Sequence, residues 1–164
     1  MVKRLESEYR EKGLRTAGFI SEAEYHDGQK SSYYLRDIET GDRILSVVEN
    51  IPPDFPDHEE FFRIGLSRFY FYKPSFEVAS GRIAEILNSG AADIPDVVFI
   101  DEIGPLELSG QGHYQAVKKL IAGYEGMLMM VIREGLLDGF LDKLGLNTSD
   151  VEFLRTDPKG REDT

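Results

Sequence analysis

The residues best suited to chemistry are two adjacent acids, Asp101 and Glu102, which follow the apolar run Val97 to Ile100. A short unbroken apolar run is typical of a strand buried on both faces of an α/β sheet. Ligands bind at the edge formed by the carboxyl ends of such strands. In a phosphate-transfer site the first acid would hold magnesium, usually through water, and the second would orient or deprotonate the attacking water.

A third acid lies close behind this pair. Gly104-Pro105 predicts a tight turn, and Glu107 follows between the apolar residues Leu106 and Leu108. An acidic pair after a strand can also simply begin a solvated loop, because short motifs often match by chance. The apolar setting of the third acid favours a functional site. A second interpretation is that Asp101, Glu102 and Glu107 form a magnesium site for another phosphate reaction.

Arg133 follows a second apolar run, Met127 to Ile132, and is therefore expected at the same sheet edge. There it would sense a terminal phosphate or stabilise charge in the transition state, as a catalytic residue. The alternative is a surface arginine that pairs with Glu134 or another carboxylate. The three histidines are far apart and lack a ligand spacing such as HExxH, which argues against a histidine metal site.

The elements expected to position these residues begin with a helix that stops at Gly13, followed by an apolar strand over residues 14–20. Turn signals at Asp27-Gly28 and Thr40-Gly41 then predict a β-hairpin or meander over residues 31–38 and 43–48. Residues 49–60 contain three prolines and five acids, and we expect them to form an exposed loop.

The second half alternates strands and helices. Strands are predicted over residues 69–72, 97–100, 127–132 and 151–154, and helices from Pro74 to Leu87 and over residues 114–121 and 136–144. This alternation predicts an α/β fold with a mainly parallel sheet flanked by helices, after an antiparallel hairpin early in the chain. Residues 1–154 would form one domain, and residues 155–164 a polar tail.

Composition narrows the class of protein. The 164 residues, 41% of them hydrophobic, suit a single domain, and the net charge of -11 would repel nucleic acid. No apolar run reaches the ~18 residues needed to span a bilayer, so no membrane partner is expected. The chain has no cysteine, which fits a reducing compartment, and we expect a cytoplasmic location.

Three stretches resemble a known family. The sequence VFIDEIGPLEL followed by SGQGHYQAV, residues 98–117, resembles the Walker B segment of the small P-loop nucleoside-triphosphatase family first described in thermophiles. Residues 17–48 are similar to that family's strand and hairpin after the first helix. Residues 68–79, RFYFYKPSFEVA, are similar to its next strand and helix. The resemblance runs from about residue 1 to about residue 154.

The resemblance implies a RecA-like P-loop fold that hydrolyses a nucleoside triphosphate, ATP or GTP, with Mg²⁺. It places Asp101 at the metal position and Glu102 at the catalytic acid position, with Gly104 and Glu107 expected to contact the cofactor. The hairpin departs from the family, which tends to carry basic residues where this chain has Tyr25 and Gly28-Gln29-Lys30.

The phosphate-binding loop, GxxxxGK[ST], has no match in the chain. In the family this loop immediately precedes the first helix, and the strand that leads into it is interior to the sheet. Without that strand, its neighbours should expose apolar surface and unpaired backbone groups. The chain is then either a piece of a longer enzyme or a diverged relative with a rearranged sheet or a strand from a partner.

Two functions therefore remain open at the level of sequence. One is a hydrolase acting on the acid anhydride bond of a nucleoside triphosphate, which would need its P-loop and would be inactive without it. The other is a non-catalytic binding or interaction module derived from the same fold. In either case a protein partner or self-association would cover the exposed sheet.

Overall fold

The computed structural model describes residues 2–154, except the side chain of Glu134. The elements are α1 (Val2–Glu11), β1 (Thr16–His26), β2 (Gln29–Asp37), β3 (Arg43–Val48), β4 (Phe61–Phe62), β5 (Tyr70–Tyr72), α2 (Lys73–Asn88), β6 (Val97–Ile103), α3 (Pro105–Leu108), α4 (Tyr114–Gly123), β7 (Met127–Ile132) and α5 (Leu137–Leu144). Short 3₁₀ turns cover His58–Glu60, Glu134–Leu136 and Thr148–Asp150.

The seven strands form one mixed sheet in the order β4-β5-β3-β2-β1-β6-β7. Among the strands of residues 2–154, the β1–β6 and β6–β7 pairs are parallel, and the other four pairs are antiparallel. The predicted mainly parallel sheet is thus not confirmed. The sheet is mixed because short turns follow β1 and β2. Each turn places the next strand antiparallel beside the previous one.

The opening of the chain confirms the predicted helix and its stop. Gly13 has a φ of 81°. Its N–H donates to the Arg10 carbonyl at 2.9 Å, and the Leu14 N–H donates to the Tyr9 carbonyl at 3.1 Å. This pair of bonds is the Schellman arrangement, which satisfies carbonyls at a helix end and favours glycine at its left-handed position. It turns the chain directly from α1 into β1.

Apolar side chains cover both faces of the parallel part of the sheet. On one face β1 and β6 pack with α2, α4 and α5 in a cluster that includes Phe19, Ile83, Val98, Val117 and Phe140. On the other face α1 packs over Ile20, Val97 and Phe99. Val97 to Ile100 are at most 2% exposed, so the strand ahead of the acids is buried on both faces as predicted.

The β1 and β6 backbones approach each other closely at Gly18. This residue has a φ of 100°, and a Cβ atom there would lie 2.1 Å from the Phe99 carbonyl oxygen. Only glycine fits this position.

Two predictions for the rest of the chain have different outcomes. The prediction of a strand over residues 151–154 was wrong, because these residues form no helix or strand. The loop over residues 49–60 is confirmed apart from the 3₁₀ turn at its end. Phe55 anchors this loop, with its ring centroid 5.1 Å from that of Phe61 and 5.2 Å from that of Tyr72.

The predicted tail, residues 155–164, lies outside the described residues. Within residues 2–154, every helix is too short or too polar to cross a membrane.

Candidate functional site

The two adjacent acids form a β-bulge at the carboxyl end of β6. Ile100 pairs with Met130 and Ile103 pairs with Ile132, so β6 advances by three residues where β7 advances by two. A bulge bends its strand and changes the direction of its side chains, and bulges are over-represented beside active sites. It gives Asp101 and Glu102 different environments.

Asp101 is almost buried, with 8% of its surface exposed. Its Oδ2 accepts a hydrogen bond of 3.1 Å from the backbone N–H of Ser21 in β1. Burial raises the pKa of Asp101 to about 6, a shift that the Ser21 hydrogen bond opposes and the charge of Glu102 supports. A bound cation would favour the ionised form and so offset the cost of burial.

Glu102 is exposed and has a φ of 69°. The left-handed region costs a residue with a side chain about 1–2 kcal/mol, and it is uncommon outside glycine, asparagine and aspartate. Strained backbone of this kind clusters at functional sites. Unlike Asp101, Glu102 presents its carboxylate to solvent.

Glu107 differs from both acids because its oxygens are already occupied. It is 2% exposed, its Oε2 accepts the Gly104 N–H at 2.8 Å, and its Oε1 accepts the His113 N–H at 3.0 Å. Burial raises the pKa of Glu107, while these two hydrogen bonds oppose the rise. The carboxylate ties the start of α3 to the residue before α4. Contact of Glu107 and Gly104 with a cofactor stays a prediction.

His113 lies behind this carboxylate, 4% exposed, with its ring centroid 4.9 Å from that of Phe76. Its Nδ1 is buried without a hydrogen-bond partner among the described residues. Burial lowers the pKa of His113 to about 4, so its ring is neutral at neutral pH. At neutral pH, His113 therefore carries no positive charge beside the acids.

The first turn of α1 lies at the same sheet edge as the acids. Lys3 Nζ is 2.8 Å from Glu22 Oε1, and Glu22 directly follows the Ser21 that donates to Asp101. Arg36 Nε and Arg43 Nε also lie 2.9 Å from the Glu22 carboxylate. Glu22 therefore joins α1 to the hairpin. Lys3 and Arg36 lower the pKa of Glu22, although burial opposes this shift.

In phosphate-binding α/β folds, a helix commonly begins at the carboxyl edge of the parallel strands. A sequence profile of the NTPase family matches residues 1–163. The chain belongs to the NTPase family. The structure is also similar to the solution structure of a human cancer-related nucleoside triphosphatase, with a TM-score of 0.60 and 19% identity over 88% of this chain and 77% of that chain. No curated protein matches significantly.

Arg133 directly follows β7 and is exposed, and the pairing of Ile132 with Ile103 sets it at the edge that carries the bulge. Its catalytic role stays a prediction.

Within residues 2–154, no three acidic or histidine side chains form a group that could hold a metal ion by themselves. This arrangement does not support a site built from Asp101, Glu102 and Glu107, because the oxygens of Glu107 face backbone N–H groups.

Sequence reasoning missed Ser21, Glu22 and His113 as parts of this region. The hydrogen bond between Gly104 and Glu107 had a local sequence signal, the capping box. In this motif, a Glu at the third position of a helix accepts a hydrogen bond from the N–H of the residue that precedes the helix. The Ser21 contact had no local signal, because it joins residues 80 positions apart.

Proposed function

We propose that this NTPase family chain supplies the acidic part of a site that hydrolyses a nucleoside triphosphate to the diphosphate and phosphate. The observation that carries this proposal is the bulge, which leaves Asp101 buried and the adjacent Glu102 exposed. Two acids with such different surroundings suit two different roles in the reaction.

Asp101 would hold Mg²⁺, and its donor chemistry fits that ion. One carboxylate oxygen is oriented by the Ser21 N–H, and magnesium is commonly held by one or two carboxylates together with waters and substrate phosphates. Bound magnesium would neutralise charge on the phosphates. A dedicated cage of three protein carboxylates is not needed for this role.

Glu102 would orient the attacking water and accept its proton. The water oxygen forms a bond to the terminal phosphorus, the bond from that phosphorus to the bridging oxygen breaks, and the diphosphate leaves. Arg133, at the end of the neighbouring strand, would stabilise the charge that develops on the transferred group.

The phosphate chain would need a further binding element, because the sequence lacks GxxxxGK[ST]. Backbone N–H groups and the lysine of that loop normally contact the phosphates. Isothermal titration of the 164-residue chain with ATP or GTP and magnesium is therefore expected to show no saturable binding. The second candidate, a non-catalytic interaction module that retains the acidic edge, predicts the same result.

Joining a strand and a GxxxxGK[ST] loop ahead of α1 separates the two candidates. If the site is catalytic, the joined chain hydrolyses a nucleoside triphosphate, and Glu102→Gln lowers kcat by about 10²–10⁴-fold with little change in nucleotide affinity. Glu77→Gln on the exposed side of α2 is the matched control and should leave kcat unchanged. A Glu102→Gln variant with full kcat would contradict the catalytic assignment. The cytoplasmic location rests on sequence alone and stays a prediction.

A further inference from the structure

Glu102 has a backbone conformation that its residue type does not favour. Its φ of 69° lies in the left-handed region, which is disfavoured for a residue with a side chain. Such a conformation persists only where the surrounding structure holds the chain on both sides of it. The contacts that flank Glu102 therefore decide how its side chain leaves the bulge.

The contacts ahead of Glu102 come from β1 and from the core. Asp101 is 8% exposed and accepts a hydrogen bond from the Ser21 N–H. Ile100 is 1% exposed and pairs with Phe19 of β1. These contacts fix the backbone that enters the bulge, and the backbone that leaves it needs contacts of its own.

The contacts behind Glu102 come from Ile103 and Gly104. The Ile103 side chain is 1% exposed in the core, and Ile103 pairs with Ile132. The N–H of Gly104, just beyond the end of β6, donates to Glu107 Oε2 at 2.8 Å. This N–H belongs to the rigid peptide plane that follows Ile103, so the Glu107 carboxylate fixes the direction in which the chain leaves the bulge.

The Glu107 carboxylate is itself firmly held. Its other oxygen accepts the His113 N–H at 3.0 Å, and the His113 ring centroid lies 4.9 Å from that of Phe76 in α2. Gly112 approaches so closely that a Cβ atom there would overlap Glu107 Oε1. The carboxylate therefore links α2 and the loop before α4 to Gly104, at the exit of the bulge.

A helix cap alone does not account for this buried acid. α3 has four residues, and a helix of that length is not stable by itself. Burial of a carboxylate also costs free energy that burial of an apolar side chain does not. We propose that Glu107 is a positioning residue, which acts through Gly104 to hold Glu102 in its left-handed conformation. This role rests on the proposed function, in which Glu102 accepts the proton of the attacking water.

NMR of the 164-residue chain measures this conformation directly. A positive φ brings the amide and α protons of one residue close together, which gives a strong NOE between them. Glu107→Leu removes both acceptor oxygens and keeps a side chain that can fill the buried site. We expect the intraresidue NOE of Glu102 to weaken to the intensity seen for residues in regular strands.

Gly112→Ala displaces the same carboxylate without removing it, because the added Cβ atom overlaps Glu107 Oε1. It should weaken the Glu102 NOE as Glu107→Leu does. Gly110→Ala is the matched control, because Gly110 also has a left-handed φ, 86° against 58° for Gly112. Its Cβ atom would meet Lys143 Nζ at 3.6 Å, an ordinary contact, and the Glu102 NOE should be unchanged.

A second control separates positioning from loss of stability. Ile83→Ala removes most of a fully buried side chain in α2, so it should lower the melting temperature substantially. The Glu102 NOE should nevertheless keep its full intensity. Circular dichroism gives the melting temperature of each variant, and the NMR spectra are compared at one temperature below all of them.

Two outcomes would overturn the proposal. One is a Glu102 NOE that stays strong in both Glu107→Leu and Gly112→Ala. The other is an equal weakening in Gly110→Ala or Ile83→Ala, which would assign the change to a general loosening of the loop or the fold. These measurements involve no nucleotide. A chain that holds Glu102 through Glu107 but fails to hydrolyse a nucleoside triphosphate would contradict the proposed function alone.

Discussion

Two neighbouring stretches of this NTPase family chain each bury an acid, but they use it differently. In the bulge, Asp101 is 8% exposed and has one N–H donor, from Ser21. In the loop behind it, Glu107 is 2% exposed and has two N–H donors, from Gly104 and His113. Buried carboxylates need hydrogen-bond partners, so Glu107 is satisfied by the fold itself. The Asp101 carboxylate retains lone pairs that can bind a ligand.

The largest expected effect is on the loop. Glu107→Ala leaves the buried N–H of His113 and that of Gly104 without their acceptor, and each bond to a charged group contributes about 1.5–3 kcal/mol. We expect the free energy of unfolding to fall by about 3 kcal/mol or more, measured by urea denaturation. Glu102→Gln, an exposed position in the same segment, should change it by less than about 0.5 kcal/mol. Equal losses in the two variants would remove the distinction between loop and bulge.

The bulge should instead make folding sensitive to pH. The pKa of Asp101 in the folded chain, about 6, lies above its ordinary value of 3.8, so the folded state binds more protons between these values. Its contribution to stability is complete below about pH 4 and is lost as the pH rises through about 6. A difference of about two pKa units corresponds to about 3 kcal/mol.

Asp101→Asn removes this loss while keeping an oxygen that can accept the Ser21 N–H. Relative to the unmodified chain, the variant should therefore gain about 3 kcal/mol in unfolding free energy between about pH 4 and pH 7. Urea denaturation across this range measures the difference. A difference that does not vary with pH would show that burial does not control the titration of Asp101.

His113 should produce the opposite pH dependence. Its pKa falls from 6.5 to about 4 on folding, so the unfolded state binds more protons between these values, and stability is lost as the pH falls. His113→Leu, of similar volume, should gain about 3 kcal/mol relative to the unmodified chain as the pH falls from 6.5 to 4. In the unmodified chain the effects of Asp101 and His113 largely cancel. If both single variants followed the same trend, one of the two assignments would be incorrect.

The smallest expected effect concerns the backbone of the bulge. Glu102→Gly should raise the unfolding free energy by about 1 kcal/mol, because glycine adopts a φ of 69° without the steric cost. Glu102→Ala keeps that cost and serves as the control. A glycine variant no more stable than the alanine variant would mean that the bulge stores no backbone strain.

Sequence reasoning recovered most elements because their signals are local. The stop at Gly13, the turns at Asp27-Gly28 and Thr40-Gly41, and proline in the first turn of α2 all act within a few residues. The strand predicted over residues 151–154 was wrong because a short apolar run does not by itself specify a strand. The prediction of a mainly parallel sheet also failed. The hairpin strands and β5 form one side of the sheet, and they pair with antiparallel neighbours.

By itself the sequence determined that an apolar strand delivers Asp101 and Glu102 to its carboxyl end, because burial on both faces requires an unbroken apolar run. Only the tertiary structure decided which acid is buried, which is strained and which is already satisfied. Those outcomes depend on Ser21, 80 residues from Asp101, and on the register between β6 and β7. Contacts across such distances arise from how whole strands pack, and no local pattern encodes them.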